Sequence, residues 1–310
     1  MSVMIKGAFL GGAAAFGAGP GPLAGAGFEI IAASRAGRNG PPLPRGAREL
    51  GSAEELFAEP GLQFAAISLP PAESFKAILL ALQRGLHVFC EPPFCLTSTE
   101  FGEVREAAET AGRTVFPAQP WERAPAYAAL EKAVNRGLAG EINFVFAQAL
   151  LPGPSPEDWL AAPQAWQVFS TLLGLARRPP AAVEARLSPG GPAAFHVHFG
   201  GADAFVHLSG GAFAPRLKTA VSGDKGRLEL DNNLLRLDLS GSEPETVELS
   251  AWPEPGSARP EWLAAELADF GRELAGEKPR GSGLRNARYC VKLLKNARYS
   301  AGMKSAAIPL

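Results

Sequence analysis

Few side chains in this chain combine a type and a position suited to proton transfer. Glu91 follows a short apolar segment at 87–90, and Glu122 lies beside Arg123 in a later segment. A carboxylate can act as a general acid or base, and a guanidinium can bind an anionic group. No Ser/His/Asp or Cys/His arrangement that would activate a nucleophile is evident. Glu91 and Arg123 are therefore candidate pocket residues, and the alternative for Glu122 and Arg123 is solvated surface charge.

Two histidines have the spacing that a strand would need to share a metal ion. His196 and His198 lie two residues apart on a predicted strand, so their side chains share one face. We find no third ligand at a suitable spacing, and Cys90, Cys95 and Cys290 form no C-x-x-C pair. The sequence predicts no metal site and no disulfide framework, and it favours a sheet-surface position for both histidines.

The elements before Glu91 form a strand–helix–strand unit. An apolar, strand-like run occupies 65–69, and a helical pattern follows at 72–84. Gly85 comes next, as a glycine just past a helix end would, and 87–90 has the composition of a second short strand. The unit places Glu91 and the two prolines after it where a parallel strand ends.

This unit resembles part of the Gfo/Idh/MocA family of NAD(P)-dependent oxidoreductases. In that family the second strand ends in Glu-Lys-Pro, and the lysine helps to activate the reacting hydroxyl or carbonyl. Glu91 matches the family's glutamate, usually a structural or cofactor-positioning residue, but Pro92 stands at the lysine position. Ser74 replaces a histidine of the family, and His87 matches a position that we interpret as structural. The resemblance also implies a cis peptide bond between Pro92 and Pro93.

Further segments extend the resemblance over nearly the whole chain. They are the first strand and glycine loop at 5–12, the domain-crossing region at 121–123 and 137–142, the glycine-rich hairpin at 223–230, and the last helix and closing strand at 297–302 and 308–310. Each segment alone is a weak match. Their order and spacing together carry the resemblance.

The pattern of strands and helices changes from Glu141 onward in this chain of 310 residues. A chain of this length divides by default into two domains. In the first part strands alternate with helices, which favours parallel pairing, whereas after residue 141 strands follow one another. The sequence therefore predicts a Rossmann-like, doubly wound parallel sheet over 1–120. It predicts a substrate or oligomerisation domain over 121–310, of the α/β class with a largely antiparallel open sheet.

The predicted elements are as follows. The first strands are expected at 4–10, 28–33, 65–69, 87–90 and 114–116, with helices at 53–58, 72–84, 99–111 and 124–136 and a loop at 35–51. Thr97 and Glu100 have the spacing of a capping box. Later strands are expected at 141–149, 183–187, 194–199, 204–208, 217–221, 227–230, 234–239 and 247–250, with helices at 260–274 and 284–301.

A glycine-rich segment after the first strand suits the pyrophosphate of a dinucleotide. Rossmann folds bind this group with G-x-G-x-x-G at a helix N-terminus, where free N–H groups favour an anion. Gly11 and Gly12 are present, Ala13 replaces the second glycine of the motif, and Phe16 replaces the third. The alternative is a structural glycine turn that binds no cofactor.

The second strand carries no acid at its end for the ribose hydroxyls of NAD. It ends in Ser34 and Arg35, and Arg38 follows; guanidinium groups suit a 2′-phosphate. NADP is therefore expected over NAD, unless both arginines are solvated loop residues. The predicted cofactor-binding residues are Gly11, Gly12, Ala13, Ser34, Arg35, Leu69, Pro70 and Glu91.

The resemblance also implies catalytic groups on a downstream Asp-x-Gly-x-His-x-x-Asp helix. In our alignment Pro163 stands at the first aspartate, Gln167 at the histidine and Ser170 at the last aspartate. The chain thus lacks these groups as well as the lysine, and no catalytic residue is assigned. The pocket candidates are Glu91, Pro92, Arg123 and Gln167.

Composition excludes several classes of function. The net charge of −1 leaves no basic footprint for nucleic acid or an anionic membrane. No segment has the run of about 20 apolar residues that spans a bilayer, and we interpret 3–18 as a strand and glycine loop rather than a signal peptide. The cysteines favour a reducing cytoplasm. The resemblance implies a homo-oligomer through the C-terminal sheet, and the alternative is a sheet that faces solvent.

Two functions stay open on the sequence. The first is an NADP-dependent oxidoreductase acting on a small, sugar-like hydroxyl or carbonyl substrate, since related reductases such as biliverdin reductases also lack the lysine. The second is a pseudo-enzyme, kept as a binding or interaction subunit after the loss of its proton-transferring groups.

Overall fold

The structure, a computed structural model, describes residues 4–12, 23, 27–35, 46–254 and 259–310. The chain divides into two compact units, Met1–Pro120 with Ser257–Val291, and Trp121–Gly256 with Lys292–Leu310. The sequence assigned all of 121–310 to the second domain, so the structure differs from that assignment over 257–291. Within the described ranges, no helix is both long and apolar enough to cross a membrane.

The first unit is built on a six-stranded parallel sheet. Its strands are β1 (Ile5–Gly11), β2 (Phe28–Arg35), β3 (Arg48–Glu49), β4 (Phe64–Ser68), β5 (His87–Cys90) and β6 (Val115–Pro117). The order across the sheet is β3-β2-β1-β4-β5-β6, and every neighbouring pair is parallel. The order reverses between β1 and β4. In doubly wound sheets, ligands bind beside the carboxyl ends of the strands at such a reversal.

Local signals in the sequence set where the helices begin and end. The helices are α1 (Ala53–Leu56), α2 (Pro71–Gln83), α3 (Ser98–Ala111), α4 (Pro125–Asn135), α5 (Pro163–Ala176), α6 (Pro260–Leu274) and α7 (Leu284–Gly302). Thr97 and Glu100 form the predicted capping box at the start of α3. Gly112, with a left-handed φ of 63°, ends the same helix. Pro71 fills the first turn of α2, where its missing N–H would have no helical partner.

Aromatic rings form the centre of the first unit's core. The ring of Phe28 lies 5.1 Å from that of Phe64 and 5.6 Å from that of Phe270, and Phe89 lies 5.6 Å from Phe270. Each of these buried rings contributes roughly 1.5–3 kcal/mol to stability. Because α6 supplies Phe270, this helix belongs to the first unit although it follows the second unit's sheet in the chain. Gly7 makes room for the cluster, since a Cβ there would lie 2.1 Å from the Phe64 ring.

The second unit contains a nine-stranded sheet. Its strands are β7 (Ile142–Leu150), β8 (Ala182–Leu187), β9 (Ala193–His198), β10 (Asp203–Ser209), β11 (Arg216–Gly223), β12 (Gly226–Asp231), β13 (Leu234–Leu239), β14 (Glu245–Glu248) and β15 (Ile308–Pro309). The order is β14-β13-β12-β11-β7-β10-β9-β8-β15. All neighbouring pairs are antiparallel except β10 with β7. Helix α5 packs on one face, where Phe169 meets Phe195 edge-to-face at 5.0 Å.

The predicted α/β class, a parallel Rossmann-type sheet followed by a largely antiparallel sheet, is confirmed. Two details differ from the sequence expectations. Strand β3 lies inside the segment 35–51, which was expected to be a loop. Helix α5 was not among the helices predicted from periodicity, because it is buried on nearly every side and shows no polar face.

Candidate functional site

The carboxyl edge of the parallel sheet brings together most of the predicted cofactor residues. Gly11 ends β1 and pairs with Ser68 at the end of β4. A Cβ on Gly11 would lie 2.7 Å from the backbone oxygen of Ser68, so only glycine fits this close approach. Gly12 follows half-buried at the same edge, whereas Ala13 lies outside the described residues, as do Phe16 and Arg38.

Glu91 is anchored across the two central strands of this edge. The hydroxyl of Ser68 donates a short hydrogen bond to the Glu91 carboxylate. The Glu91 N–H donates to the carbonyl of Ile67 at 2.9 Å, which continues the pairing of β4 with β5. Leu69 and Pro70 follow Ser68 at the surface and lead into α2. The carboxylate of Glu91 is therefore held in place, an arrangement that suits a positioning role.

A buried proline stands where the resemblance places the family's lysine. Pro92 and Pro93 are both buried, and the peptide bond between them is cis, as the resemblance implied. Proline has no N–H and no ionisable group, so Pro92 offers nothing that could donate or accept a proton. Any proton transfer at this edge must use another group.

A carboxylate that the sequence analysis missed lies beside Arg35. Glu49 pairs with Ala33 in the register of β3 with β2, which places it next to the end of β2. The Arg35 guanidinium donates from Nε to Glu49 at 2.7 Å and from Nη2 at 2.8 Å, a bidentate ion pair. Ser34, the preceding residue, is buried. Strand β3 has only two residues, too few for a strand periodicity to reveal Glu49 in the sequence.

His87 lies at the opposite end of β5 and has structural contacts. Its Nδ1 accepts a hydrogen bond from the backbone N–H of Thr114 at 3.0 Å, and its Nε2 lies 3.1 Å from Nη1 of Arg113. Burial, followed by the charges of Arg113 and Arg280, lowers the pKa of His87 to about 4. The ring is therefore neutral near pH 7 and joins the start of β5 to the chain that enters β6.

The second unit contains a separate polar cluster around α5. Ser170 donates to the Glu122 carboxylate at 2.7 Å, and Thr171 donates to the carbonyl of Gln167 at 2.8 Å. Gln167 is buried on α5. Glu122 and Arg123 lie half-buried in the short 3₁₀ helix Pro120–Arg123. Because its carboxylate accepts this bond, Glu122 is more than the solvated surface charge that was the alternative for it.

Tyr127 adds a buried hydroxyl to this unit that the sequence analysis did not single out. Its oxygen lies 3.4 Å from the hydroxyl of Thr219. Burial raises the pKa of Tyr127 to about 12, although hydrogen bonds to Thr219 and Thr171 oppose the shift. The phenol is therefore protonated at neutral pH. Tyr127 could not be singled out from the sequence, because a tyrosine on an amphipathic helix such as α4 is ordinarily a core residue.

Part of the parallel sheet described above matches a known protein family. Residues 44–119 match the Gfo/Idh/MocA model, described as an oxidoreductase family with an NAD-binding Rossmann fold. The resemblance to the Gfo/Idh/MocA family is confirmed. The matched range includes β3 to β6 and therefore Glu49, Ser68, Glu91 and Pro92.

Two curated relatives and one solved structure show how far the similarity extends. An uncharacterized oxidoreductase, YfiI of Bacillus subtilis, is 26% identical over 124 residues, 39% of this chain and 32% of the relative. Trans-1,2-dihydrobenzene-1,2-diol dehydrogenase of Bos taurus is 32% identical over 116 residues, 36% of this chain and 34% of the relative. The matches thus span about a third of each relative's length.

The solved structure is that of an oxidoreductase from Agrobacterium radiobacter in complex with NAD⁺, L-tartaric acid and magnesium. It superposes with a TM-score of 0.81 over 99% of this chain and 98% of that chain, at 16% sequence identity. At this identity the likeness establishes the shared fold.

Proposed function

We propose that this chain is an NADP-dependent oxidoreductase acting on a small, sugar-type substrate with hydroxyl or carbonyl groups. The observation that carries the proposal is the sheet edge at the β1–β4 reversal, where Gly11 admits no Cβ and Glu91 is anchored to Ser68. This is the place where doubly wound sheets bind dinucleotides. The relative named as a diol dehydrogenase supports a substrate with hydroxyl groups.

The residues at this edge fit a nicotinamide dinucleotide, which when bound supplies the hydride donor or acceptor. The backbone at Gly11 can approach a pyrophosphate closely because no side chain intervenes. Arg35 ends the second strand, where the adenosine ribose lies in Rossmann folds, and its fork of donors suits a 2′-phosphate. The ion pair with Glu49 holds the guanidinium at the strand end. Arg35 is thus the residue that supports NADP over NAD.

The proton of the reacting hydroxyl or carbonyl must be transferred without the lysine that the resemblance implies at the position of Pro92. Pro92 carries no ionisable group, and Gln167 stands where the resemblance places a histidine. A substrate with an acidic proton of its own could react once it is oriented against the nicotinamide. We therefore propose substrates of that kind over ordinary polyols. The same two residues favour the second candidate function, a pseudo-enzyme kept as a binding or interaction subunit, with or without a nucleotide.

Two measurements test the proposal. Titration of the protein with NADPH and with NADH, followed by nicotinamide fluorescence, is expected to show saturable binding of NADPH and weaker binding of NADH. An NADP-linked absorbance assay over sugars, polyols, hydroxy acids and their keto forms then looks for turnover. Binding with turnover supports the oxidoreductase, and binding without turnover on any compound supports a pseudo-enzyme that keeps its nucleotide. Failure to bind either nucleotide at about 1 mM contradicts the oxidoreductase and supports a pseudo-enzyme without a nucleotide.

We further propose that the chain self-associates through the open face of the nine-stranded sheet, the face opposite α5. Phe144 on β7 and Phe205 on β10 are each 39% exposed there, and Phe146 stacks on Phe205 at 6.3 Å. Exposed aromatic groups of this kind are typical of protein interfaces. Sedimentation of the chain and of its Phe205→Glu variant tests this, because charge at the patch should shift the distribution towards monomer. A reducing cytoplasmic location is also proposed, supported by three buried free thiols.

A further inference from the structure

The nine-stranded sheet carries a cluster of side chains that could hold a metal ion and that the proposed oxidoreductase site does not use. Glu184 on β8 and His196 and His198 on β9 each offer one ligand atom. These three atoms all lie within 4.8 Å of one another. All three side chains are half-buried, so the ligand atoms lie near the surface yet are partly shielded from water. The sequence analysis found the histidine pair but no third ligand for it.

The register of the backbone brings this cluster together. Glu184 pairs with His196 across β8 and β9, and Asp203 pairs with His198 across β9 and β10. Val197 lies between the two histidines in the chain and is fully buried, so the histidines project from the opposite, open face. Directly opposed residues on antiparallel strands have Cβ atoms about 4.5–5.5 Å apart. The ligands are therefore neighbours because of strand pairing, and not merely because long side chains happen to meet.

His198 already has the hydrogen-bonding environment of a metal-bound histidine. Its Nδ1 lies 2.8 Å from Oδ1 of Asp203, and its Nε2 lies 3.1 Å from Oε1 of Glu184. A ligating histidine usually donates its second N–H to a carboxylate, which fixes the tautomer and makes the ring a stronger ligand. With Nδ1–H on Asp203, the lone pair of Nε2 points towards Glu184, where an ion would be shared between them.

The distances suit a small transition-metal ion. Zinc bonds of about 2.0–2.2 Å to nitrogen and oxygen in a tetrahedron place the ligand atoms about 3.4 Å from one another. The ligand atoms of Glu184 and His198 are already 3.1 Å apart, and the ligand atom of His196 lies within 4.8 Å of both. The two imidazole rings lie 4.1 Å apart between centroids. Small side-chain rotations at these half-exposed positions would bring the third ligand atom to bonding distance.

We propose that Glu184, His196 and His198 bind one divalent transition-metal ion, of the Zn²⁺ class, with Asp203 orienting His198 and water completing the coordination. Imidazole with carboxylate is a donor set that zinc and its neighbours favour. Such an ion would join β8 to β9 directly, and β10 through Asp203, on the open face of the sheet. Its effect would be to stabilise the second unit when the metal is present.

The test uses the full chain without an affinity tag, since added histidines would bind metal themselves. After treatment with a chelator and dialysis, the protein is titrated with Zn²⁺ by calorimetry and with Co²⁺ by visible absorption. We expect one ion per chain and a Co²⁺ spectrum of low coordination number. His196→Ala and His198→Ala should each weaken binding at least about tenfold, and Asp203→Asn about 10- to 100-fold with unchanged stoichiometry.

His207→Ala is the matched control. His207 lies on β10, on the same open face, and its ring is 3.2 Å from the amide nitrogen of Gln148, outside the cluster. The control should bind Zn²⁺ like the wild type, and circular dichroism should show all variants folded. The proposal is overturned if the chelator-treated wild type shows no saturable Zn²⁺ binding. It is overturned equally if binding survives His198→Ala, or if His207→Ala loses as much affinity as the ligand variants.

Discussion

The preference between NADP and NAD is expected to depend on one ion pair, that of Arg35 with Glu49. In the structure both nitrogens of the Arg35 fork that face β3 donate to Glu49, and the two side chains are 29% and 51% exposed. A bound 2′-phosphate would compete with Glu49 for the same donors. Glu49 would also repel the phosphate, because both carry negative charge. We therefore expect Arg35 to favour NADP over NAD and Glu49 to limit the size of this preference.

The expected changes in nucleotide affinity follow from the type of bond that each substitution removes. Hydrogen bonds to charged groups contribute about 1.5–3 kcal/mol, so Arg35→Ala should weaken NADPH binding about 10- to 150-fold and NADH binding much less. The ion pair itself is partly exposed and is worth about 0.2–1 kcal/mol. Releasing Arg35 by Glu49→Gln should therefore tighten NADPH binding by up to about fivefold. Both effects should shrink at high salt, since exposed charges are screened.

The assay is fluorescence titration of each variant with both nucleotides, reported as the ratio of the two dissociation constants. Arg48→Ala is the matched control, because this neighbouring arginine pairs with Glu59 at 3.0 Å and not with Glu49. Its ratio should equal that of the wild type. An unchanged ratio in Arg35→Ala, or a wild type that binds NADH more tightly than NADPH, would refute the assignment of Arg35 to the 2′-phosphate.

Three further outcomes are expected. The pKa of His87 is lowered to about 4, so its contribution to the free energy of unfolding is complete above about pH 6.5 and is lost as pH falls towards 4. In urea unfolding, the free energy of unfolding of the wild type should fall by about 1 kcal/mol between about pH 7 and pH 5. The His87→Asn variant should not show this loss. Gly7→Ala should destabilise the chain by about 1–3 kcal/mol in thermal or urea unfolding, because its Cβ meets the Phe64 ring, whereas Gly102→Ala on α3, with open space around it, should not. Pro92→Lys should produce no polyol dehydrogenase activity in the NADP-linked assay, and turnover by this variant would show that the lysine alone was missing.

Elements with a regular pattern and local end signals could be predicted from the sequence. The capping box of Thr97 and Glu100 marks α3, and β5 occupies the residues expected for it. Helix α5 could not be predicted from periodicity, although the resemblance implied a helix there. Residues such as Trp166 and Phe169 are buried around its whole circumference, which removes the helical periodicity. The place of α6 in the first unit could not be inferred either, since Phe270 reaches that core only through the tertiary fold.

The candidate sites show the same division between local and tertiary information. Gly11 and Arg35 follow predicted strands, so their position at a strand end could be inferred from the sequence. Glu49 beside Arg35, and Glu184 beside the histidine pair, depend on which strands become neighbours. Spacing along the chain carries no such information, because the register of a strand is fixed by packing of its buried face.

The proposed loss of proton-transferring groups and the proposed retention of a nucleotide-binding edge concern different residues. Gly11 is confined by the Ser68 carbonyl, and Glu91 is anchored by the Ser68 hydroxyl, so this edge is shaped by the packing of β1, β4 and β5. The packing constrains these residues whether or not the chain turns over substrate. Pro92, by contrast, stands where the resemblance places a lysine that acts in proton transfer, and a general acid or base is typically worth about 10²–10⁴-fold in rate. If both proposals hold, the chain is expected to bind a nicotinamide dinucleotide at this edge. It is then expected to catalyse only reactions whose substrate carries an acidic proton of its own.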